Sequence, residues 1–389
     1  MAWPVFDEEQ IADVARVLRS GAVNAWTGPE VARFEAAYAE LLGRRHAIAV
    51  ANGTLALDLA LHALDIGPGD DVIVTPRSFV ASAACVALAG ARPVFADVER
   101  DSGNLSAATI EAALTPRTRA VIVVHLAGWP CEMDAIMRLA RARGLAVVED
   151  CAQAHGAAIA GRPVGSFGDI ATFSFCQDKI VTTGGEGGLL ASDDDALWQR
   201  AWSRKDHGKD HAAVHGEHPP GFRWLHDRFG TNMRMTGMQA ALGLRQLRRL
   251  PGWSAARARN AAIFREALGG APGLSVPWPA ESKRHGFYRL YAHVRPQALK
   301  AGWSRDRVMA QIVARGVPCF SGSCSEIYRE KAFREAGFAP RERLPVAREL
   351  GETSLAFLVD PSIDVAEARA AARIVRGVMD EITLDRIAA

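Results

Sequence analysis

The chain has 389 residues, of which 49% are hydrophobic and 23% charged, and its formal net charge is +2. These values are typical of a globular protein of about two domains, and the absence of a basic block argues against nucleic-acid binding. No apolar run reaches the ~18 residues of a membrane span, and the first eight residues lack the basic and apolar regions of a secretion signal. Because the six cysteines form no C-x-x-C pair, we expect reduced thiols in a cytoplasmic protein.

Short apolar runs alternate with helical patterns through the first ~250 residues, which predicts an α/β layer with a largely parallel sheet. Strands are predicted over 47–51, 72–74, 93–96, 120–124, 145–148, 171–175 and 188–191. Helices are predicted over 55–64, 79–88, 133–143, 235–249 and 253–268. The stretch 207–228 has no period, and we interpret it as a functional loop.

The segment 272–279 is rich in proline and glycine, and it is our predicted junction between domains. We expect a large domain over 1–270, with an N-terminal arm over 1–30, and a smaller α+β domain over 271–389. In the smaller domain the pattern predicts a strand over 287–294 and helices over 305–315 and 365–379.

Lys179 stands between a predicted apolar strand and a glycine-rich turn. The glycines of this turn are Gly184, Gly185, Gly187 and Gly188. A lysine that forms a Schiff base attacks as the free amine, and burial lowers the pKa of an amine because it disfavours the ammonium. The glycines let the backbone pass close to a flat cofactor. The alternative is an exposed lysine in a turn.

Three other strand ends carry matching groups. Asp150 ends a buried strand, where α/β sheets bind ligands, and an aspartate there can pair with a protonated pyridine nitrogen; a helix N-cap is the alternative. Gly53 and Thr54 offer backbone N–H groups and a hydroxyl to a phosphate, although an N-cap role explains Thr54 equally well. Phe79 can stack on a planar ring or belong to the core. Together with Lys179, this set fits pyridoxal phosphate (PLP).

Six motifs follow one another along the chain: Trp26-Thr27-Gly28-Pro29, Asn52-Gly53-Thr54, His125-Leu126-Ala127-Gly128, Glu149-Asp150-Cys151-Ala152-Gln153, Phe173-Ser174-Phe175 with Lys179, and Gly230-Thr231-Asn232-Met233-Arg234-Met235. With them the sequence resembles the DegT/DnrJ/EryC1/StrS family of sugar aminotransferases, within the aspartate-aminotransferase superfamily. The resemblance runs from about Trp26 to the C-terminus. It implies a fold type I PLP-dependent transferase, whose large domain has a mainly parallel seven-stranded sheet.

The resemblance also implies residue roles. Lys179 would hold pyridoxal 5'-phosphate as a Schiff base and move the proton, with Asp150 as the second catalytic residue. The implied cofactor-binding residues are Gly53, Thr54, Phe79, Asp150, Gln153, Ser174, Lys179 and Asn232. The candidates for the substrate pocket are Trp26, His207, Arg234, Phe320 and Tyr328, and no metal is expected. Since the family asparagine that matches Asn232 reaches the neighbouring subunit's cofactor, a homodimer with shared active sites follows.

The implied reaction carries an amino group from an amino acid, with glutamate as the expected donor, to a keto-sugar, which we expect to be nucleotide-linked. The run Cys176-Gln177-Asp178 departs from the family pattern before Lys179 and leaves substrate orientation open. Some PLP-dependent enzymes that act on amino-shikimate compounds have a Q-x-G-K run before the glycine turn, and Gln177 near Lys179 resembles it. A PLP-dependent synthase or dehydratase is therefore one alternative. A non-catalytic PLP-binding regulatory protein is the other.

A group of histidines has a spacing that suggests a metal site at first sight. Its members are His207, His211, His215, His218 and His226. The first three repeat every fourth residue, which would align them on a helix. Because Gly208 and the polar surroundings weaken a helix there, we interpret the stretch as a substrate loop.

Overall fold

The computed structural model describes residues 3–217 and 220–384. The helices in these ranges are α1 Glu8–Ser20, α2 Glu30–Leu42, α3 Gly53–Ala63, α4 Ala81–Leu88, α5 Ala107–Ala112, α6 Met133–Arg143, α7 Asp195–Lys205, α8 His211–His215, α9 Gly237–Leu268, α10 Arg305–Ala314, α11 Lys331–Glu335, α12 Pro345–Thr353 and α13 Val365–Ile382. The strands are β1 His46–Val50, β2 Asp71–Val74, β3 Arg92–Phe95, β4 Thr118–Val124, β5 Ala146–Asp150, β6 Ala158–Ile159, β7 Arg162–Pro163, β8 Ile170–Ser174, β9 Gly188–Ser192, β10 Leu274–Ser275, β11 Lys283–Arg284, β12 Leu290–Val294, β13 Cys319–Phe320 and β14 Ser354–Phe357.

A seven-stranded sheet in the order β1-β9-β8-β5-β4-β2-β3 lies within residues 46–192. Its strands run parallel except β9, which is antiparallel to both of its neighbours. The central strands β2, β4 and β5 are buried almost throughout, because helices cover both faces of such a sheet and its strands are therefore apolar on both sides. The predicted mainly parallel seven-stranded sheet is confirmed.

Helix α9 corrects one prediction. We expected two helices, over 235–249 and 253–268, but a single helix of 32 residues spans the range and contains Pro251. A proline removes one hydrogen bond of the helix and strains one turn. Burial of Leu250, Ala261 and Phe264 outweighs that local cost, because α9 packs against α1, α2 and α13 along its length.

The C-terminal part of the chain forms an antiparallel sheet in the order β10-β12-β14-β13. Its core includes Phe264 from the end of α9, Leu290, Phe357 and Val375. This is the α+β arrangement expected of the smaller domain; the boundary at 270 remains a prediction. Within 3–217 and 220–384, no helix is long and apolar enough to cross a bilayer.

Candidate active site

The ends of four parallel strands meet at one edge of the large sheet. They carry Gly53 after β1, Phe79 after β2, Asp150 at the end of β5 and Ser174 at the end of β8. Parallel strands place their carboxyl ends on the same edge. The structure therefore assembles groups that are 121 positions apart in the chain (174 − 53).

Gly53 and Ser174 lie against each other. A Cβ on Gly53 would stand 2.6 Å from the Cβ of Ser174, so only glycine fits at this position. The N-cap of α3 is Asn52, whose side chain accepts the Leu55 N–H at 2.9 Å. The alternative that Thr54 serves as the N-cap is therefore wrong, and Thr54 is exposed at the first turn of the helix.

Asp150 is buried and has few hydrogen-bond donors. Its carboxylate accepts the Ser82 hydroxyl at 2.7 Å and the Ala152 N–H at 3.1 Å. Burial raises the pKa of Asp150 above its ordinary value, against the opposite effect of these bonds and of the Lys179 charge. No helix begins at Asp150, so the N-cap alternative is wrong here too.

The neighbouring carboxylate, Glu149, belongs to a separate buried network. It accepts the N–H groups of Gly165, Phe167 and Gly168 at 2.7–2.9 Å, and His125 Nε2 lies 3.1 Å away. His125, Glu149 and Cys151 are close enough to suggest a metal site. However, His125 Nδ1 accepts the Cys131 N–H at 3.1 Å. His125 and Glu149 therefore both already bind backbone groups and stabilise the fold.

Gln153 and Phe79 border the same edge. The Gln153 side-chain oxygen accepts the Ala127 N–H at 2.7 Å. Since that oxygen is engaged, the amide NH2 is the part of Gln153 left to meet a ligand. The Phe79 side chain is 65% exposed, which contradicts the alternative that it belongs to the core.

Lys179 lies in the loop after β8 with its side chain 15% exposed. Its Nζ is 3.4 Å from Asp178 Oδ1 and 3.5 Å from the Tyr288 hydroxyl. Burial alone would lower the pKa of Lys179, but Tyr288 and Asp178 raise it above its ordinary value. The balance of these effects favours the ammonium form of Lys179.

Asp178 and Tyr288 are site residues that the sequence did not single out. Tyr288 donates its hydroxyl to Asp178, and the Arg289 guanidinium lies 4.3 Å from the centre of the Tyr288 ring. Asp178 is adjacent to Lys179 and could have been noticed for that reason. Tyr288 stands 109 positions beyond Lys179 in an ordinary alternating segment, and no local signal marks it.

Trp3 contacts the backbone of the loop that carries Lys179. The indole N–H of Trp3 donates to the Lys179 carbonyl oxygen at 2.9 Å, and its ring packs on Trp253 with centroids 4.9 Å apart. Residues far from the sheet edge thus help to fix the backbone of Lys179.

Most of the predicted substrate residues form a second group. Arg234 donates to Asp206 at 2.8 Å, and Asp206 forms a backbone bridge with Asn232. Lys209 lies 3.6 Å from Asp206 and 4.0 Å from the centre of the Trp26 ring. His207 is exposed beside them, with φ of 60° and its N–H donated to the Thr231 carbonyl.

The remaining two predicted substrate residues lie elsewhere. Phe320 is half-exposed on β13, in a segment whose Cys324 carbonyl accepts the Ser78 N–H at 3.1 Å, next to Phe79. Tyr328 is buried and donates its hydroxyl to Glu326 at 2.6 Å.

The histidine stretch contains a short helix, α8, so the expectation that no helix forms there is wrong over His211–His215. The rings of His211 and His215 stack at 4.3 Å, and His211 also packs on Trp202 at 4.7 Å. His218 lies outside the described residues. The two described rings on α8 thus pack mainly on each other and on an aromatic neighbour.

Comparison with known proteins gives a consistent result. The model of the DegT/DnrJ/EryC1/StrS aminotransferase family matches residues 4–376. An aminotransferase from Psychrobacter cryohalolentis of known structure has a TM-score of 0.97 and 51% identity, covering 98% of this chain and 99% of that one. GDP-perosamine synthase of Caulobacter vibrioides is 41% identical over 75% of both chains. A dTDP-3-amino-3,4,6-trideoxy-alpha-D-glucose transaminase of Streptomyces venezuelae is 35% identical over 92% of this chain and 89% of its own.

Proposed function

The chain belongs to the DegT/DnrJ/EryC1/StrS aminotransferase family, and on this premise we propose a PLP-dependent transfer of an amino group from glutamate to a nucleotide-linked keto-sugar. Membership confirms the predicted family, fold class and enzyme class. The observation that carries the proposal is the placement of two groups on neighbouring strands: the mostly buried Lys179 follows β8, and the buried Asp150 ends β5.

The phosphate end of the cofactor fits the Gly53–Ser174 contact. A phosphate approaches backbone N–H groups closely only where no Cβ intervenes, and a helix N-terminus favours a negative charge. Gly53 is the first residue of α3, and Thr54 presents a hydroxyl that is not used as a cap. Ser174 supplies a second hydroxyl, which accepts only a long bond of 3.4 Å from the Cys176 N–H.

The ring end fits the remaining predicted residues. Asp150 is a buried carboxylate that accepts two hydrogen bonds and has a raised pKa. A protonated pyridine nitrogen beside it would stabilise its charged form. The exposed ring of Phe79 offers a stacking face, and the Gln153 amide NH2 is free to meet the ring hydroxyl.

When bound, PLP supplies the electron sink that makes a proton on the substrate's α-carbon removable. The protein supplies the rest. With the cofactor bound, Lys179 Nζ would serve as the base that accepts and returns this proton, and the Asp150 carboxylate would hold the protonated ring nitrogen.

The acceptor is assigned as a nucleotide-linked sugar from the relatives, whose names include a GDP-linked and a dTDP-linked sugar. In this chain Arg234 and Lys209 provide cationic groups, and Trp26 provides a partly exposed ring. Cations and an aromatic face suit a diphosphate with an attached base. Phe320 remains a further candidate, and Tyr328 is omitted because it is buried and its hydroxyl is donated to Glu326.

A homodimer with shared sites completes the proposal. Asn232 is exposed, and within 3–217 and 220–384 no hydrogen bond or ion pair links the Arg234–Asp206 group to Lys179. Large exposed aromatic side chains, Phe222, Trp224 and Phe229, stand in the preceding loop, and exposed aromatics of this kind mark contact surfaces. Mixed dimers of Lys179→Ala and Asn232→Ala chains should recover activity that neither parent has.

The compartment is also a proposal. All six cysteine thiols are unpaired in the structure, which supports a reducing environment such as the cytoplasm.

The first test follows the covalent link to the lysine. Wild-type protein loaded with PLP should show a visible band that glutamate removes, and borohydride should fix the cofactor on the peptide containing Lys179. Lys179→Ala should lose both signals, while Lys331→Ala, a change at an exposed lysine on α11, should keep them. A reducible adduct in Lys179→Ala would show that another lysine carries the cofactor. An aromatic product with a new ultraviolet band would favour the synthase alternative.

A further inference from the structure

Two side chains, Asp178 and Tyr288, lie beside the amine of Lys179, and a third, Arg289, contacts both of them. The Asp178 carboxylate receives the Tyr288 hydroxyl on Oδ2 and the Lys179 amine on Oδ1 at 3.4 Å. The Tyr288 ring lies under the amine, with Nζ 4.9 Å from its centroid. Arg289 approaches the same carboxylate at 3.7 Å. Lys179 is therefore held from two sides by groups that prefer it charged.

The charged and titratable groups around Lys179 come from every neighbouring element. They are Asp178 and Cys176 in its own loop, Tyr288 and Arg289 before β12, Asp150 at the end of β5 and His155 after it. Burial lowers the pKa of His155 to about 4, so its ring is neutral near pH 7. Asp178 is half-exposed and can exchange protons with solvent.

We propose that Asp178 and Tyr288 are positioning residues that hold Lys179 as an ammonium before the cofactor arrives and control the release of the free amine. The pair lies close to Nζ, and its members are fixed to each other by the hydrogen bond from Tyr288 to Asp178. This inference rests on the proposed role of Lys179 in binding PLP. It concerns the run Cys176-Gln177-Asp178, where the chain departs from the pattern expected of its family.

In the release step the ammonium loses one proton to water, against the attraction of the Asp178 carboxylate, which stays ionised. The free amine then adds to the aldehyde carbon of the cofactor, a carbon–nitrogen double bond forms, and one water leaves. Since only the unprotonated amine adds, the pair sets the pH range in which the cofactor is taken up.

The first experiment needs no cofactor. Competitive acetylation of the apoprotein over a pH series, followed by peptide mass spectrometry, measures the midpoint at which Lys179 becomes reactive. Asp178→Asn and Tyr288→Phe keep the size of each side chain, and each should move this midpoint to lower pH by about one unit. Arg289→Met should move it upward, because the cation that competes for Asp178 is removed.

A downward shift in all three variants would indicate general loosening of the segment and overturn the inference. Unchanged midpoints in Asp178→Asn and Tyr288→Phe would also overturn it.

The second experiment separates this inference from the proposed function. The rate of PLP uptake by the apoprotein, followed by absorbance, should rise with pH, and the profile of Asp178→Asn should move by the same amount as its labelling midpoint. If wild-type protein takes up no PLP while the labelling shifts occur, the proposed function fails and the lysine–aspartate–tyrosine coupling stands. If uptake occurs with identical profiles in wild type and both variants, the inference fails and the function stands.

Discussion

Two adjacent carboxylates at the end of β5 have opposite surroundings. Glu149 accepts three backbone N–H groups and lies 3.1 Å from His125 Nε2. Asp150, pointing to the other side of the strand, accepts one hydroxyl and one N–H. Both are buried. Hydrogen bonds from His125, Gly168 and Gly165 overcome burial and lower the pKa of Glu149, whereas burial dominates at Asp150 and raises its pKa.

The difference in hydrogen bonding distinguishes Glu149, which stabilises the fold, from Asp150, which has acceptor capacity left for a ligand. A buried anion is tolerated when its lone pairs are filled, and it costs free energy when they are not. Glu149 ties β5 to the turn at Gly165–Gly168. Asp150 keeps acceptor capacity toward the site, which agrees with its proposed partner, the pyridine nitrogen.

The largest expected effect is on catalysis by Asp150→Asn. The amide cannot stabilise a charged ring nitrogen, so we expect kcat to fall about 1,000-fold, or about 4 kcal/mol. The apoprotein of this variant should be at least as stable as wild type, because an uncompensated buried charge has been removed. Steady-state kinetics and thermal unfolding together check both parts. A variant with near wild-type kcat would remove Asp150 from the catalytic residues.

Glu149→Gln should give the reverse pattern. One side-chain oxygen is replaced by an NH2 group that faces backbone N–H donors, so we expect a loss of about 3 kcal/mol of stability. Activity of the folded fraction should change little, because Glu149 does not face the cofactor edge. Denaturant unfolding of the apoprotein measures the first quantity. Equal damage to stability in Asp150→Asn and Glu149→Gln would contradict the contrast between them.

The pH dependence of the two variants sharpens the contrast. Because the folded-state pKa of Asp150 is raised, its carboxylate destabilises the protein above that pKa, and the penalty disappears as pH falls toward 3.8. The stability gain of Asp150→Asn should therefore shrink by about 1.4 kcal/mol per pH unit in that window. The pKa of Glu149 is lowered. The loss of stability in Glu149→Gln should therefore stay constant from pH 7 to about 4.5 and become smaller only below that pH. Unfolding series at matched pH values test both slopes.

Local motifs predicted the mainly parallel sheet and the strand ends that carry the proposed cofactor residues. Asp150 and Ser174 end parallel strands, and Gly53 and Phe79 follow parallel strands, so the common direction of these strands is enough to bring the four to one edge. The helix α1 was not predicted, although Asp7 and Gln10 form a capping box at its start. That signal was available in the sequence.

Three features that local sequence patterns do not predict depend on long-range packing. Pro251 indicated a break in a helix that tertiary contacts hold together. The raised pKa of Lys179 depends on Tyr288, which only the approach of the C-terminal part brings to the site. Tyr328 was selected by its position in the family pattern, but its orientation is set by Glu326 and Arg343.

The smallest effect is expected from a substitution of Tyr328. Tyr328→Phe removes a hydroxyl that donates to Glu326 at 2.6 Å and accepts the Leu344 N–H at 3.0 Å, so we expect a stability loss of about 1 kcal/mol. The ring still packs on Phe95, and Arg343 still holds Glu326, which limits the damage. KM for the sugar should not change in Tyr328→Phe, whereas Arg234→Met should raise it. An increase in KM for Tyr328→Phe with unchanged thermal unfolding would return Tyr328 to the substrate pocket, because a purely structural hydroxyl cannot affect substrate binding without affecting stability.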